Sequence, residues 1–498
     1  MTDVNAQGSG STHASRPPVS LAEARLIVAG VLIAMLMAAL DQTIVSTALS
    51  TIGRELGNST QLTWVVTAYL LAATVVTPIY GKLSDFYGRR VTLLVAVSIF
   101  VSGSAACALA PTMLVLIIAR TFQGLGGGGL ISLSQTIIGD IIPPKERPRY
   151  QAYISGTFVL ASVAGPLLGG FIAEHLHWSI IFWINPPIGI LALGMIYSLL
   201  RKLPVNHTHH QIDYAGVALL IVGTTALMLA LNWGGVHYAW DSKQILVLFS
   251  VFAIFAVLFF VQQGRAPEPL VPFVVLANRV MVTATFACAF CLGSSIGLTI
   301  FTPIYFETVR HLSPSMSGVA LVPLMVGTAI GAAIAGRLMK MTHYKLLPIV
   351  GLLVATAAMA ILSYAPAELP QAVVEVLLGF TSIGFGTILP VTTVCVQNAA
   401  PPGQLGTATA VMVFVRSLAG AVAVAIFGAI LFAQLHGSGP PQVIEPGAFI
   451  NSHADFAAIY RWIFATAGLG FLIALFGILA MPELPLKDHV ASEEAAAA

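Results

Sequence analysis

The chain has 498 residues, 57% hydrophobic and 8% charged, with a mean hydropathy of +0.91 and a formal net charge of +2. So much apolar surface cannot be hidden in one water-soluble core, so its solvent is a bilayer. The net charge gives no ground for a nucleic-acid partner, and the four cysteines (Cys107, Cys288, Cys291, Cys395) lie in apolar runs, which excludes a disulfide framework.

A polar tail, Met1 to Ser20, leads into an apolar segment too long for the core of a cleavable signal and lacking a small-residue cleavage site. A membrane anchor that stays is expected. A spanning helix needs about 20 apolar residues, since roughly 30 Å of hydrocarbon is crossed at about 1.5 Å per residue. Fourteen segments qualify: 26–50, 61–80, 91–110, 113–138, 151–174, 178–200, 213–233, 243–263, 280–306, 316–337, 346–365, 370–396, 405–432 and 459–481. With the N-terminus in the cytoplasm, sixteen Lys and Arg residues fall in inner loops and tails, against Arg54, Lys243, Arg310 and Arg461 outside. That bias places both termini in the cytoplasm.

Two ionisable residues lie inside the first apolar half. Asp41 follows Arg25 by sixteen residues, about 24 Å of helix, which sets it in the outer half of the membrane. Arg120 comes nine residues after Pro111, about 14 Å in from the outer surface. They reach similar depths, so a contact between them is geometrically open. Intramembrane ions usually mark a pathway, because each costs roughly 2.5 to 3.5 kcal/mol on insertion scales. Asp41 is then a proton carrier whose affinity Arg120 and substrate modulate; the competing account is a static pair that only holds helices together. Gln123, Trp64 and Phe158 are candidates for the cavity wall or for packing. In the second half Glu307, Glu375 and Arg416 are further candidates, the two carboxylates toward outer helix ends and Arg416 deeper.

Between the second and third segments stands GKLSDFYGRR, residues 81 to 90, with Lys82, Asp85, Arg89 and Arg90 crowded together. A plain turn obeying the positive-inside rule explains the bases but leaves Asp85, Gly81 and Gly88 without a reason. The glycines permit close approach or positive φ, and Asp85 can sit at the N-terminus of a helix from the other half, where the macrodipole favours an anion. The arginines can hold carboxylates by forked hydrogen bonds. The expectation is a conformational latch that closes the cytoplasmic side.

The chain also repeats itself. GRLMKMTHYK (336 to 345) follows the decapeptide at an offset of 255, with Lys340 in place of Asp85, and AAPPGQLGTATA (399 to 410) follows IIPPKERPRYQA (141 to 152) at 258. Two six-helix bundles are expected, residues 25–200 and 279–481, with a linker, 201–278, carrying an inserted pair, and cytoplasmic tails at 1–24 and 482–498. Such duplicated bundles rock about a site at the bilayer midplane.

The match to G-x-L-x-D-x-x-G-R-R resembles the major facilitator superfamily. Gly165, Pro166, Gly169 and Gly170 fit the G-P-x-x-G-G signature of its antiporters; the competing reading is that membrane helices are generally rich in Gly and Pro. LDQTIVSTAL (40 to 49), RTFQGLGGGG (120 to 129), FWINPPIG (182 to 189), DYAG (213 to 216) and SPSMSGVALVP (313 to 323) extend the likeness to the fourteen-spanner drug:proton antiporters over nearly the whole chain. Departures are Ser179, where arginine is usual, and Glu307, where glutamine is common.

The resemblance implies an all-α membrane protein of the major facilitator fold that exports small amphipathic compounds in exchange for protons, in a plasma or inner membrane. Its partners are small-molecule substrates, protons and lipid; no motif names an accessory export protein. An uptake or metabolite transporter of the same fold is the alternative. No enzyme constellation is present and no cofactor is implied beyond the proton gradient, since Gly124 to Gly129 follows no strand and no glycine-rich loop carries a Walker lysine. Cys288–Cys291 has no second ligand pair for a metal, and the His207–His210 run reads as a solvated stretch of an inner loop, with adventitious metal binding left open.

Overall fold

The computed structural model describes residues 21–57, 61–202, 211–339, 343–433 and 455–486. The polar tail, the His207–His210 run and Lys340 lie outside them. Fourteen helices among the described residues are long and apolar enough to cross a membrane. They are α1 (Leu21–Leu56), α2 (Leu62–Tyr87), α3 (Arg89–Ala108), α4 (Met113–Ile141), α5 (Arg147–His175), α6 (Ile180–Leu199), α7 (Tyr214–Trp233), α8 (Lys243–Arg265), α9 (Arg279–Thr308), α10 (Met316–Leu338), α11 (Leu346–Tyr364), α12 (Gln371–Ala399), α13 (Leu405–Ala433) and α14 (Phe456–Ala480). The chain is therefore an all-α, multi-pass membrane protein.

Helices are what a bilayer demands, because hydrocarbon leaves every backbone N–H and C=O to be satisfied within its own segment. Where helices begin, side chains take up the free amides: Thr112 accepts from Val115, Asp213 from Gly216, and Asn278 from both Val280 and Met281. Prolines mark the breaks. The α6 span is interrupted at Ile184, ahead of Pro186 and Pro187, and the α10 span at Leu321, ahead of Pro323.

One boundary differs from the sequence reading in an instructive way. The charged decapeptide is not a loop: α2 runs on through it to Tyr87, and α3 restarts at Arg89. The turn is a single residue, Gly88, at φ +84° and ψ 153°, a region essentially reserved for glycine.

Within the first set of spans, α4 packs on α2 and α3, while α1 packs on α5 and α6; in the second, α10 packs on α12, and α9 and α11 on α14. The inserted pair α7 and α8 packs on itself and leans on α2 and α13 through α7. The two sets meet through α2 with α13 and α5 with α10. These junctions are related by the repeat. A Cβ on Gly81 would lie 2.7 Å from the Gly406 carbonyl oxygen, and one on Gly336 would lie 2.8 Å from that of Pro148.

Apolar lipid tails give no hydrophobic drive between helices, so close van der Waals packing carries the bundle. The glycine run of α4 shows how. A Cβ on Gly124 would fall 2.6 Å from the Tyr69 carbonyl oxygen of α2, and one on Gly126 would fall 2.6 Å from that of Ala96 on α3. The run is a helical packing strip between two neighbours. Gly126→Leu must push α3 and α4 apart, and overpacking of this kind costs about 1–3 kcal/mol. A lowered thermal midpoint of the detergent-purified protein is the expected outcome, with Gly170→Leu, where added atoms meet open space, as the tolerant control.

Candidate functional site

The deepest charges are brought together. Arg120 of α4 donates through Nη1 to Asp41 Oδ2 at 2.6 Å, with both side chains essentially enclosed (1% and 0% exposed). Asp41 Oδ1 accepts from Gln123 Nε2 at 2.8 Å and from Asn185 Nδ2 at 2.9 Å. Arg120 also donates to Gln123 Oε1 at 2.7 Å and, through Nε, to the Val65 carbonyl at 3.1 Å, while its guanidinium lies 4.2 Å over the Tyr69 ring. Asn185 reaches on to Ser104 Oγ, which donates to the Phe182 carbonyl. Residues of four helices, α1, α2, α4 and α6, thus meet at one carboxylate and one guanidinium, with Ser104 of α3 one hydrogen bond further out.

Local sequence explains the convergence. Arg120 and Gln123 stand three apart and share a helix face. Asn185 is delivered by the break at Ile184, which starts the longer piece of α6 at Asn185. Chemically, the carboxylate accepts three donors on its two oxygens, and a proton placed on it would take away acceptor capacity from Arg120, Gln123 or Asn185 at once.

The second constellation sits at the junction of the two sets. Asp85 Oδ1 accepts from the Gly406 amide at 3.0 Å; Oδ2 accepts from the Thr407 amide at 2.8 Å and the Thr407 hydroxyl at 2.7 Å. Both amides belong to the first turn of α13, which has no intrahelical partners for them and carries the positive end of the helix dipole. Arg89 donates from Nη1 to Asp85 at 2.6 Å and to Ser84 at 2.7 Å, and from Nε to Asp140 at 2.6 Å. Gly406 is a close-approach position: a Cβ there would meet Ser84 Oγ at 2.5 Å and Arg89 Nη1 at 2.6 Å. Arg90 takes no carboxylate among the described residues; its guanidinium lies 4.6 Å over the Tyr197 ring, and Lys82 lies 4.6 Å over that of Phe86. A further tie across the junction runs from Gln397 Nε2 to the Gln135 carbonyl at 2.9 Å.

The G-P-x-x-G-G residues divide into two faces. Gly165 and Gly169 are buried against Thr43, Thr47 and Ile44 of α1, whereas Pro166 is exposed and Gly170 faces open space. Thr43 Oγ1 donates to the Ala161 carbonyl of α5 at 2.9 Å. Among the cavity candidates, Gln123 belongs to the Asp41 cluster, half-buried Phe158 packs between the two apolar cores of the first set, and Trp64 stands edge-on to Trp233 of α7 at 5.9 Å. Glu307 and Glu375 occupy end turns of α9 and α12, Glu375 accepting from Gln371 at 2.8 Å. Arg416 lies mid-way along α13.

Asn185, Asp140 and Thr407 were missed in the sequence. Asn185 had a signal, an amide isolated in the apolar run FWINPPIG. Asp140 is a lone carboxylate at the end of α4, and Thr407 lies in the repeated segment that opens α13; neither is marked until the helices are placed.

The pattern of the Major Facilitator Superfamily matches residues 31–424. Multidrug resistance protein 3 of Bacillus subtilis (strain 168) is 36% identical over 495 residues, covering 94% of this chain and 96% of its own. The multidrug transporter protein MdtP of the same organism is 33% identical over 472 residues, covering 93% and 86%. Among solved structures, the proton:xylose symporter XylE superposes with a TM-score of 0.64 at 17% identity, over 95% of this chain and 99% of that one. The likeness to XylE concerns the fold. With the pattern spanning most of the chain and full-length relatives above 30% identity, the chain belongs to the Major Facilitator Superfamily.

Proposed function

We propose that the chain is a secondary active exporter of small amphipathic compounds, driven by inward proton flow through alternating access. Its place is a plasma membrane with both termini cytoplasmic, as the distribution of lysine and arginine supports. Transport rather than catalysis is its activity. The observation that carries the proposal is the enclosed carboxylate Asp41, held by Arg120, Gln123 and Asn185. The full-length relatives named as multidrug transporters support the direction of transport and the substrate class.

The coupling runs as follows. Ionised Asp41 ties α1 to α4 and α6; a proton arriving from outside removes the counterion of Arg120 and frees the three helices to shift. Release of the proton inward restores the tie. The latch sets which face is shut: Asp85 on the first turn of α13 holds α2 against the other half, so the conformation described here is closed on the latch side. Switching requires that contact to break.

Two outcomes test these roles. Asp41→Asn leaves Arg120 without a counterion, and breaking a buried pair costs about 3–5 kcal/mol; in proteoliposomes with an imposed pH gradient, its proton-driven flux of cationic and neutral probes should vanish. Flux equal to wild type for every probe removes Asp41 from the coupling. Asp85→Asn keeps the shape but forfeits charge-assisted hydrogen bonds of about 1.5–3 kcal/mol each. Turnover should fall by roughly tenfold or more, a factor equivalent to about 1.4 kcal/mol, while substrate affinity measured at equilibrium changes little; normal turnover refutes the latch.

A further inference from the structure

Arg416 is the other guanidinium set deep in a membrane helix, and its surroundings differ from those of Arg120. It stands eleven residues into the 29-residue α13, about 16 Å along the axis from the latch end. Arg416 takes part in no ion pair among the described residues, and its Nη1 is enclosed without an acceptor. The titratable group that acts on it is Cys288 of α9, a buried thiol, which is uncharged at neutral pH. Glu307 lies nineteen residues beyond Cys288 on the same helix, about 28 Å along the axis.

Packing does not require the charge. At the 258-residue offset that brings Pro148 onto Gly406 and Ala152 onto Ala410, Arg416 falls on Phe158. Phe158 meets the same demand in the first half with an apolar ring set between two cores. The contact of α13 with α9 is made instead by small and aromatic residues, Gly293 against Ala419 and Ala423 and Gly297 against Phe427. Meanwhile the stretch of α13 from residue 414 to 419 is only half-buried throughout, so Arg416 is not sealed into a core. An uncompensated cation at this depth is a standing cost that a bound anion would remove.

We propose that Arg416 is an anion-recognition position of the transport path, taking the carboxylate of an amphipathic substrate. The planar fork of a guanidinium matches a planar carboxylate with two parallel hydrogen bonds, and the low dielectric strengthens both. This inference rests on the export reading and narrows its substrate class: compounds with a free acid group are bound in preference to their esters.

The test compares two dyes that differ by one methyl ester, rhodamine 110 with its free carboxylate and rhodamine 123, the ester. Binding to the purified full-length protein is followed by fluorescence polarisation in a low-ionic-strength Tris–HEPES buffer, which brings neither halide nor a competing carboxylate to the site, with protein-free micelles as blank. Wild type should bind the acid at least about tenfold more tightly than the ester, a difference of about 1.4 kcal/mol. In Arg416→Gln the ratio should collapse toward one, and Arg416→Lys should hold an intermediate ratio. The thermal midpoint of Arg416→Gln should equal or exceed that of wild type, because an unpaired buried charge has been removed. A wild-type ratio near one, no binding of the acid dye, an unchanged ratio in Arg416→Gln or a lowered midpoint overturns the proposal. Equilibrium binding needs neither a pH gradient nor net flux, so a failed dye preference leaves proton-driven export standing, and failed export leaves the dye preference standing.

Discussion

A charge in hydrocarbon is costly unless its opposite lies within reach, and that constraint organises the first half of the protein around Asp41 and Arg120. Neither residue alone fixes a structure. Together, at 2.6 Å and shut away from solvent, they oblige α1 and α4 to stay in register. Gln123 and Asn185 occupy the acceptor positions that the arginine leaves free on the carboxylate, which draws in α6. The pair is therefore a structural tie among three helices, and it is this tie that the proposed proton coupling acts on.

The contact between the two halves obeys the same economy by other means. No second carboxylate–guanidinium bridge joins them at the α2–α13 junction; the anion of Asp85 meets the unfilled amides and positive dipole end of α13 instead. Small residues make that approach feasible, since Gly81 and Gly406 leave no room for a Cβ. Arg89 then holds Asp85 from behind while also binding Asp140, linking the junction to the end of α4. Because α4 also carries Arg120 and Gln123, one continuous helix joins Asp140, which Arg89 holds at this junction, to the Asp41 cluster.

The second half departs from the first in how it treats charge. Where the first buries Arg120 with its partner, the second leaves Arg416 without an ion-pair partner among the described residues, and where the first places Asp85 in its charged decapeptide the second has Lys340. Duplication supplied the scaffold, and the two copies diverged in electrostatics. The inserted pair is more peripheral still: α8 packs on α7 and fully buries only Ile245, Phe259 and Gln263.

Hydropathy and length alone determined the fourteen spans, because spanning helices must satisfy their own backbone and the bilayer sets how long they are. The charged decapeptide with its glycines, the repeat offsets and the depths of Asp41 and Arg120 were equally legible, being local in the chain or countable along a helix. What the sequence left undecided were partners far apart in number. Asn185 on Asp41, Asp140 on Arg89, Thr407 on Asp85 and Trp64 on Trp233 lie 51 to 322 residues from their mates. Their pairing depends on which faces meet when helices cross, and periodicity does not encode that. The sequence also read residues 81 to 87 as a loop because they are charged, whereas tertiary contact with α13 keeps them helical and leaves Gly88 to make the turn. Length and polarity are properties of a segment; a counterion is a property of the packed whole.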